Sequence, residues 1–250
     1  MENLDRLIQI LCEEEKITMP QGMNEAEKAD FFRALCNVRP PKPVSKEFIT
    51  LQDEYLSRRT AERGIADVKE FAYRRGAALW QGDITRLNCD AIVNACNAKL
   101  LGCFSPLHNC IDNIIHSNAG VQVRLDCNDI MKGGSEKCGG VKVTKGYNLP
   151  CKYIFHTVGP IVGGGVPSAQ DERDLRACYL SCLKKADEMG LGSLAFCCLS
   201  TGVFGYPKAD ACKLAVGTVR EYLAAGSKLK VIFNVFLDED CRLYKERLGI

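Results

Sequence analysis

The chain of 250 residues has no apolar run of about 18 residues, so nothing in it reads as a membrane-spanning helix. It opens Met1-Glu2-Asn3-Leu4-Asp5, polar and acidic, without the apolar segment of a signal peptide, and a cytoplasmic protein is expected. Excess charge of either sign is also lacking. Thirty-three Lys and Arg stand interspersed with 31 Asp and Glu, which removes the basic footprint of a nucleic-acid or anionic-membrane binder; neither partner is expected. An anionic ligand would have to be held locally. No internal repeat or low-complexity tract occurs, so a solenoid is excluded. Cysteine, by contrast, is abundant, with 15 residues. Disulfide scaffolds are short and secreted, whereas 46% hydrophobic and 26% charged residues describe an ordinary globular chain with a full core. Most of the cysteines therefore read as small buried apolar side chains. Cys89, Cys96, Cys103 and Cys110 fall seven apart, but Gly102 and Pro106 break any heptad helix through them.

The pattern changes once along the chain. Leu4, Leu7, Ile8 and Leu11 follow helical spacing, and Asn24 with Glu27 forms a capping signature before Phe31, Phe32 and Leu35. Arg39-Pro40-Pro41-Lys42-Pro43 must interrupt helix, after which Phe48, Leu51, Tyr55 and Leu56 mark a third amphipathic helix ending near Gly64. From residue 77 short apolar runs alternate with longer amphipathic ones, the signature of α/β layering. Strands are expected at 77–80, 90–94, 141–147, 153–158, 194–199 and 231–236, and helices at 111–131, 172–189, 208–225 and 239–248.

Chemistry concentrates between residues 91 and 120. A buried strand runs into Asn94 and Asn97, and the loop beyond it lies where open α/β sheets bind ligands, past the carboxyl end of a strand. Cys103, His108 and Cys110 then fall within one short loop. Two thiolates and an imidazole suit Zn²⁺ and leave a fourth tetrahedral position free. The bland alternative is two core thiols and a surface histidine. His116, on a helix, and His156, on a strand, read as structural. Ser200-Thr201-Gly202-Val203-Phe204-Gly205-Tyr206-Pro207 follows an apolar strand and precedes a helix, so its backbone amides could approach an anion.

Asn-Ala-Cys-Asn at 94–97, Leu-Leu-Gly-Cys-Phe-Ser-Pro-Leu-His-Asn-Cys-Ile-Asp-Asn at 100–113 and Ile-His-Ser-Asn-Ala-Gly at 115–120 resemble the zinc-dependent macrodomains, which are microbial ADP-ribosyl hydrolases. Gly82-Asp83-Ile84-Thr85 and the 200–207 loop extend the resemblance over residues 77–250. It implies an α/β fold, a three-layer α/β/α macrodomain with a mixed six-stranded sheet at 76–250, preceded by a helical N-terminal extension at 1–75 packing on it. The commoner macrodomain loop ending Gly-Val-Asp-Gly is replaced here by Cys-Ile-Asp-Asn in a loop lengthened by the metal donors. Lys132 to Gly140, with Gly-Gly-Ser-Glu-Lys-Cys-Gly-Gly, departs from the family pattern.

The resemblance also distributes roles. Asp83 and the Ile84 backbone would meet adenine, where a turn cap is the alternative for Asp83. Ser200, Thr201, Gly202, Val203, Phe204 and Gly205 would cradle the diphosphate, with Phe204 and Tyr206 near the distal ribose, and Phe236 would pack on adenine unless it is a plain core aromatic. Asn97 would orient the ribose, Ile111 line the site, and Asp112 assist proton transfer, a helix N-terminal carboxylate being its simpler account. Asn94 reads as a loop cap. The implied protein is a monomer with one Zn²⁺ that removes mono-ADP-ribose from acidic side chains, a glycosidase-type hydrolase whose ligands are ADP-ribose and a modified protein. The family's link to a lipoyl-carrier protein modified by a sirtuin-type transferase suggests one such substrate. A non-catalytic ADP-ribose reader and an O-acetyl-ADP-ribose deacetylase use the same pocket and remain alternatives.

Overall fold

The computed structural model describes residues 2–250. Residue 1, where the stretch expected to form the first helix (1–16) begins, lies outside them. Three helices come first, α1 (Glu2–Glu15), α2 (Glu25–Val38) and α3 (Lys46–Glu62). The α2 capping box is formed: the Asn24 side chain accepts from the N–H groups of Ala26 and Glu27, and Glu27 reaches back to Asn24 N–H. Ser45 caps α3 directly after the proline segment. The three helices close on Leu4, Leu7, Ile8, Leu11, Phe32, Leu35, Phe48, Tyr55 and Leu56, a core of their own to which Val121 of the following region adds. Phe32 meets Tyr55 edge-on at 5.5 Å.

The rest runs β1 (Ala66–Asp67), β2 (Ala77–Gln81), β3 (Leu87–Asn88), β4 (Ala91–Ala95), α4 (Ile111–Ala119), α5 (Val121–Met131), β5 (Val141–Lys145), β6 (Tyr153–Thr157), α6 (Ala169–Glu188), β7 (Ser193–Phe196), α7 (Lys208–Ala224), β8 (Lys230–Val235) and α8 (Asp238–Leu248). The main sheet has the order β2-β8-β7-β4-β6-β5, parallel except that β5 runs antiparallel to β6. Helices flank it to make three layers, with α6, α7 and α8 side by side, and with α4 and α5 against β4 and β5. The central strand β4 is apolar on both faces and buried from Ala91 to Asn94, as a parallel strand covered on two sides must be. Ten of the 15 cysteines are buried and all are free, in keeping with their reading as small core side chains. No helix among the described residues is long and apolar enough to cross a membrane.

Three features differ from the sequence expectation. Strand and helix ends shift by up to three residues. A two-residue parallel pairing, β1 with β3, ties the chain leaving the extension to the main body, and pairing so short has no periodicity to find. The single helix expected over 111–131 is two. Gly120 breaks it at φ 104° and ψ 170°, a conformation closed to residues with a Cβ, and Gln52 of α3 fills the space a side chain would need. The Gln52 oxygen accepts from Val121 N–H at 2.9 Å, so the extension takes over one amide freed at the break.

Gly120→Ala should destabilise the protein by about 1–3 kcal/mol, because a new Cβ would lie 2.6 Å from the Gln52 side-chain nitrogen at an unfavourable φ. Urea denaturation checks it; an unchanged midpoint would remove the account of the break.

Candidate metal centre and ligand cleft

The carboxyl ends of β2, β8, β7 and β4 open along one edge of the sheet, and every loop singled out in the sequence leaves from that edge. Such an edge is where α/β sheets take ligands. Behind the exit of β4 lies a directed chain of hydrogen bonds. Asn94, fully buried, donates its two amide hydrogens to Asp112 Oδ1 at 2.8 Å and to His156 Nδ1 at 3.2 Å. His156 Nδ1 must then be the unprotonated nitrogen, so its Nε2 carries the hydrogen and donates to Thr144 Oγ1 at 2.9 Å. Thr144 donates onward to the Lys145 carbonyl. Burial holds His156 neutral, its pKa pushed down to about 3. Asp112, 5% exposed, is pushed up to about 6 by burial, against the lowering effect of the Asn94 amide. His116 Nε2 stands 3.5 Å from Asp112 and is held well below the usual imidazole range by burial. Asn94 is therefore not the loop cap expected from sequence but a tie between β4, β6 and α4. His116 and His156, read from sequence as structural, are both buried, and with Cys127 they place their side-chain nitrogen and sulfur atoms within 4.8 Å of one another.

The loop after β4 gathers the three soft donors. Cys103, His108 and Cys110 place their ligand atoms within 4.8 Å of one another, and Cys103 Sγ is 3.6 Å from His108 Nδ1. Zinc–sulfur and zinc–nitrogen bonds of usual length at a tetrahedral angle put sulfur and nitrogen about 3.6 Å apart, so the Cys103–His108 spacing suits two ligands of that ion. Cys110 also begins α4, where its sulfur accepts from Asn113 N–H at 3.4 Å. Burial pushes the Cys110 thiol up to about 11, with the Cys103 sulfur adding to the effect and the Asn113 N–H opposing it. Bringing a dication there would displace the protons.

The other sequence-predicted residues occupy the same edge in different states. Asn97 is exposed and clasps its own turn, donating to the Gly102 carbonyl at 3.1 Å and accepting from Lys99 N–H at 2.9 Å. Asp83 caps the turn after β2 through Thr85 and also pairs with Arg63, beyond the end of α3, at 2.9 Å. Both of its oxygens thus have partners from the protein. The Ile84 side chain is core and Ile111 is half-buried at the start of α4. In the 200–205 loop, Ser200 adopts a left-handed φ of 61°, and its buried hydroxyl has no partner while filling the space beside Gly159. Val203 is 79% exposed, and the Phe204 carbonyl accepts from Val162 N–H at 2.7 Å. Phe236, at 71% exposure beyond β8, is no core aromatic. The divergent 132–140 segment docks by Glu136 N–H on the Ala98 carbonyl, so it borders the Asn97 turn.

The sequence reading of the extension, as a unit packing on the main domain, named none of the residues by which it reaches the loops. Arg33, Asn37 and Arg63 reach the 100–110 loop and the Asp83 turn, and the separation of Arg33 and Asn37 from the loop by 70–80 residues leaves no local pattern to reveal them.

The sequence profile of the Macro domain family matches residues 93–215. A Staphylococcus aureus protein named protein-ADP-ribose hydrolase is 52% identical over 223 residues, covering 87% of this chain and 83% of the relative. The chain belongs to the macrodomain family. Among solved structures, the Trypanosoma brucei macrodomain in complex with ADP matches at a TM-score of 0.64 and 29% identity, covering 100% of this chain and 97% of that one. The Oceanobacillus iheyensis macrodomain with ADP matches at 0.64 and 33%, covering 69% of this chain and 90% of that one. The shorter coverage suits a macrodomain that carries extra helices.

Ser200→Ala should leave the stability of this macrodomain unchanged or raised by up to about 1 kcal/mol, since a buried hydroxyl without a partner contributes only its desolvation cost. Thermal denaturation measures it, and a clear loss would show that the hydroxyl is bonded in solution.

Proposed function

We propose that this macrodomain is a Zn²⁺-dependent protein-ADP-ribose hydrolase that releases mono-ADP-ribose from acidic side chains. Identity of 52% over most of both chains to a protein-ADP-ribose hydrolase supports hydrolysis of the ADP-ribosyl–protein linkage. The observation that carries the metal is the convergence of Cys103, His108 and Cys110 at a zinc-compatible spacing on the loop leaving β4. Bound through these three, the ion would supply a Lewis acid with one open coordination position.

The chain's own residues do the rest. Adenine lies at the Asp83–Ile84 turn with Phe236 offering an exposed ring, and the backbone of residues 200–205 takes the diphosphate. ADP is the ligand of two similar macrodomain structures, which supports a nucleotide diphosphate in this cleft. Asn97 orients the distal ribose beside the metal loop. Asp112, a carboxyl raised toward neutrality, assists proton transfer from behind that loop, and Ile111 keeps its surroundings apolar.

Two measurements test the assignment. Purified protein should carry about one zinc, lost in Cys103→Ala and Cys110→Ala, and chelation should slow single-turnover release from a mono-ADP-ribosylated carrier protein by about 100-fold or more while ADP-ribose affinity changes little. Asp112→Asn, which keeps an oxygen facing Asn94, should show the same split. Full zinc in both cysteine variants would remove the ligand set. Tight ADP-ribose binding with no release from aspartate- or glutamate-linked substrate would make the protein a reader.

Gly202→Val should fold normally, because a Cβ there meets nothing within 4 Å, yet weaken ADP-ribose binding by about tenfold by crowding the amides of the loop. Calorimetry showing unchanged affinity in the folded variant would displace the diphosphate from this loop.

A further inference from the structure

We propose that Arg33 and Asn37, both on α2 of the N-terminal extension, are positioning residues that hold the His108 imidazole opposite the Cys103 and Cys110 sulfurs. The inference rests on the metal reading given above and concerns what makes the donor set rigid. His108 is exposed, and its loop has no helix or strand of its own. Two contacts from α2 bracket it. Asn37 Oδ1 accepts from Leu107 N–H at 3.0 Å, and Arg33 Nη2 donates to the His108 carbonyl at 2.8 Å. The backbone on both sides of the imidazole is therefore fixed from outside the loop. Leu107 shows that holding is needed, since its φ of 56° is one that leucine does not adopt unaided.

The same two residues reach the cysteines through Asn113. Arg33 Nη2 donates to Asn113 Oδ1 at 2.9 Å, and Asn113 Nδ2 donates to the Cys103 and Ser105 carbonyls at 3.4 and 3.0 Å, while its N–H meets Cys110 Sγ. Asn37, 2% exposed, donates to Ser117 Oγ, which donates to Asn113 Oδ1. One network thus touches the backbone or sulfur of all three donor residues, and its two distant anchors belong to α2. Other contacts between the extension and the macrodomain lie elsewhere, among them Gln52 with Val121 and Gln122. A set of donors held in place before the ion arrives loses less freedom on binding it, so the anchors should act on metal affinity.

The test uses the full chain, stripped of metal and titrated with Zn²⁺ against a chromophoric chelator, with Co²⁺ reconstitution to read the geometry from its absorption bands. Arg33→Ala and Asn37→Ala should each lower Zn²⁺ affinity by about tenfold and alter the Co²⁺ spectrum. Amides of residues 103–109 should exchange faster in these variants without metal, with exchange at 82–85 unchanged. Asn37→Asp keeps an oxygen facing Leu107 N–H and should restore most of the affinity. Gln52→Ala, which loosens the same interface away from the loop, should leave it within about twofold. If Asn37→Ala does not fold, the half-buried Arg33 carries the measurement through Arg33→Ala. Wild-type affinity in the variants, or an equal loss in Gln52→Ala, would overturn the proposal while leaving the metal reading intact. Wild type that takes up no Zn²⁺ would remove both.

Discussion

A fully buried side-chain amide must find partners inside the protein, and Asn94 finds them in Asp112 and His156. Most of the site depends on that. One hydrogen goes to α4 and the other to β6, so the end of the central strand is tied both to the helix that begins at Cys110 and to its neighbour in the sheet. The direction of the bonds is forced: an amide N–H can only donate, His156 Nδ1 must accept, and its Nε2 must donate to Thr144. Each group has one permitted role. Protonating His156 would set two donors against each other, which is why burial and bonding act together to keep it neutral. The bonds made by the Asn94 Nδ2 amide and His156 thus have one direction each and tie β4 to α4 and β6, while Asn94 Oδ1 stays buried without a partner.

What this network cannot reach is the outer half of the loop. The donors stand on a segment with two left-handed residues close by, Leu100 and Leu107, and no ladder of its own. The side chains of α4 that face it, Asn113 and Ser117, account for the Cys103 side. On the His108 side the hydrogen bonds reaching the loop backbone from another element come from α2, among the described residues. An extension with its own hydrophobic core can present Arg33 and Asn37 rigidly, as a mobile arm could not. Arg124, on α5, closes the remaining gap by donating to the Leu101, Cys36 and Arg39 carbonyls, joining loop, α2 and the end of α2 through one guanidinium.

The layered fold was legible in the sequence because its elements obey simple periods: the apolar run of β4 up to Asn94, the Asn24 and Glu27 cap, and the proline break before α3 each act locally. The donor triplet was legible for the same reason, since three soft ligands within eight residues must lie close in space. Non-local pairing was hidden. Nothing in Gly82-Asp83-Ile84-Thr85 says that Arg63 takes one carboxylate oxygen, and nothing around Asn94 tells a core tie from a loop cap. The break at Gly120 was missed because glycine in an apolar helical pattern is tolerated as often as not, and here only the arrival of Gln52 decides it.

The two halves of the proposed site therefore differ in what they demand of the chain. The half assigned to adenine and diphosphate is made of strand ends and a glycine-bearing loop, so its donors are backbone groups that the sheet places automatically. Ser200 can spend a left-handed φ there because Tyr206 N–H bonds its carbonyl and β7 fixes its start. The half assigned to the reacting ribose is made of side chains on a lengthened loop, and no sheet ladder positions a cysteine or an imidazole. Precision there has to come from contacts made by a second body. A short loop could be ordered by α4 alone; one lengthened to carry three donors needs an anchor at its far side, and α2 is the element that touches it. The helical extension and the 103–110 loop are thus joined at the loop's far side by hydrogen bonds from α2.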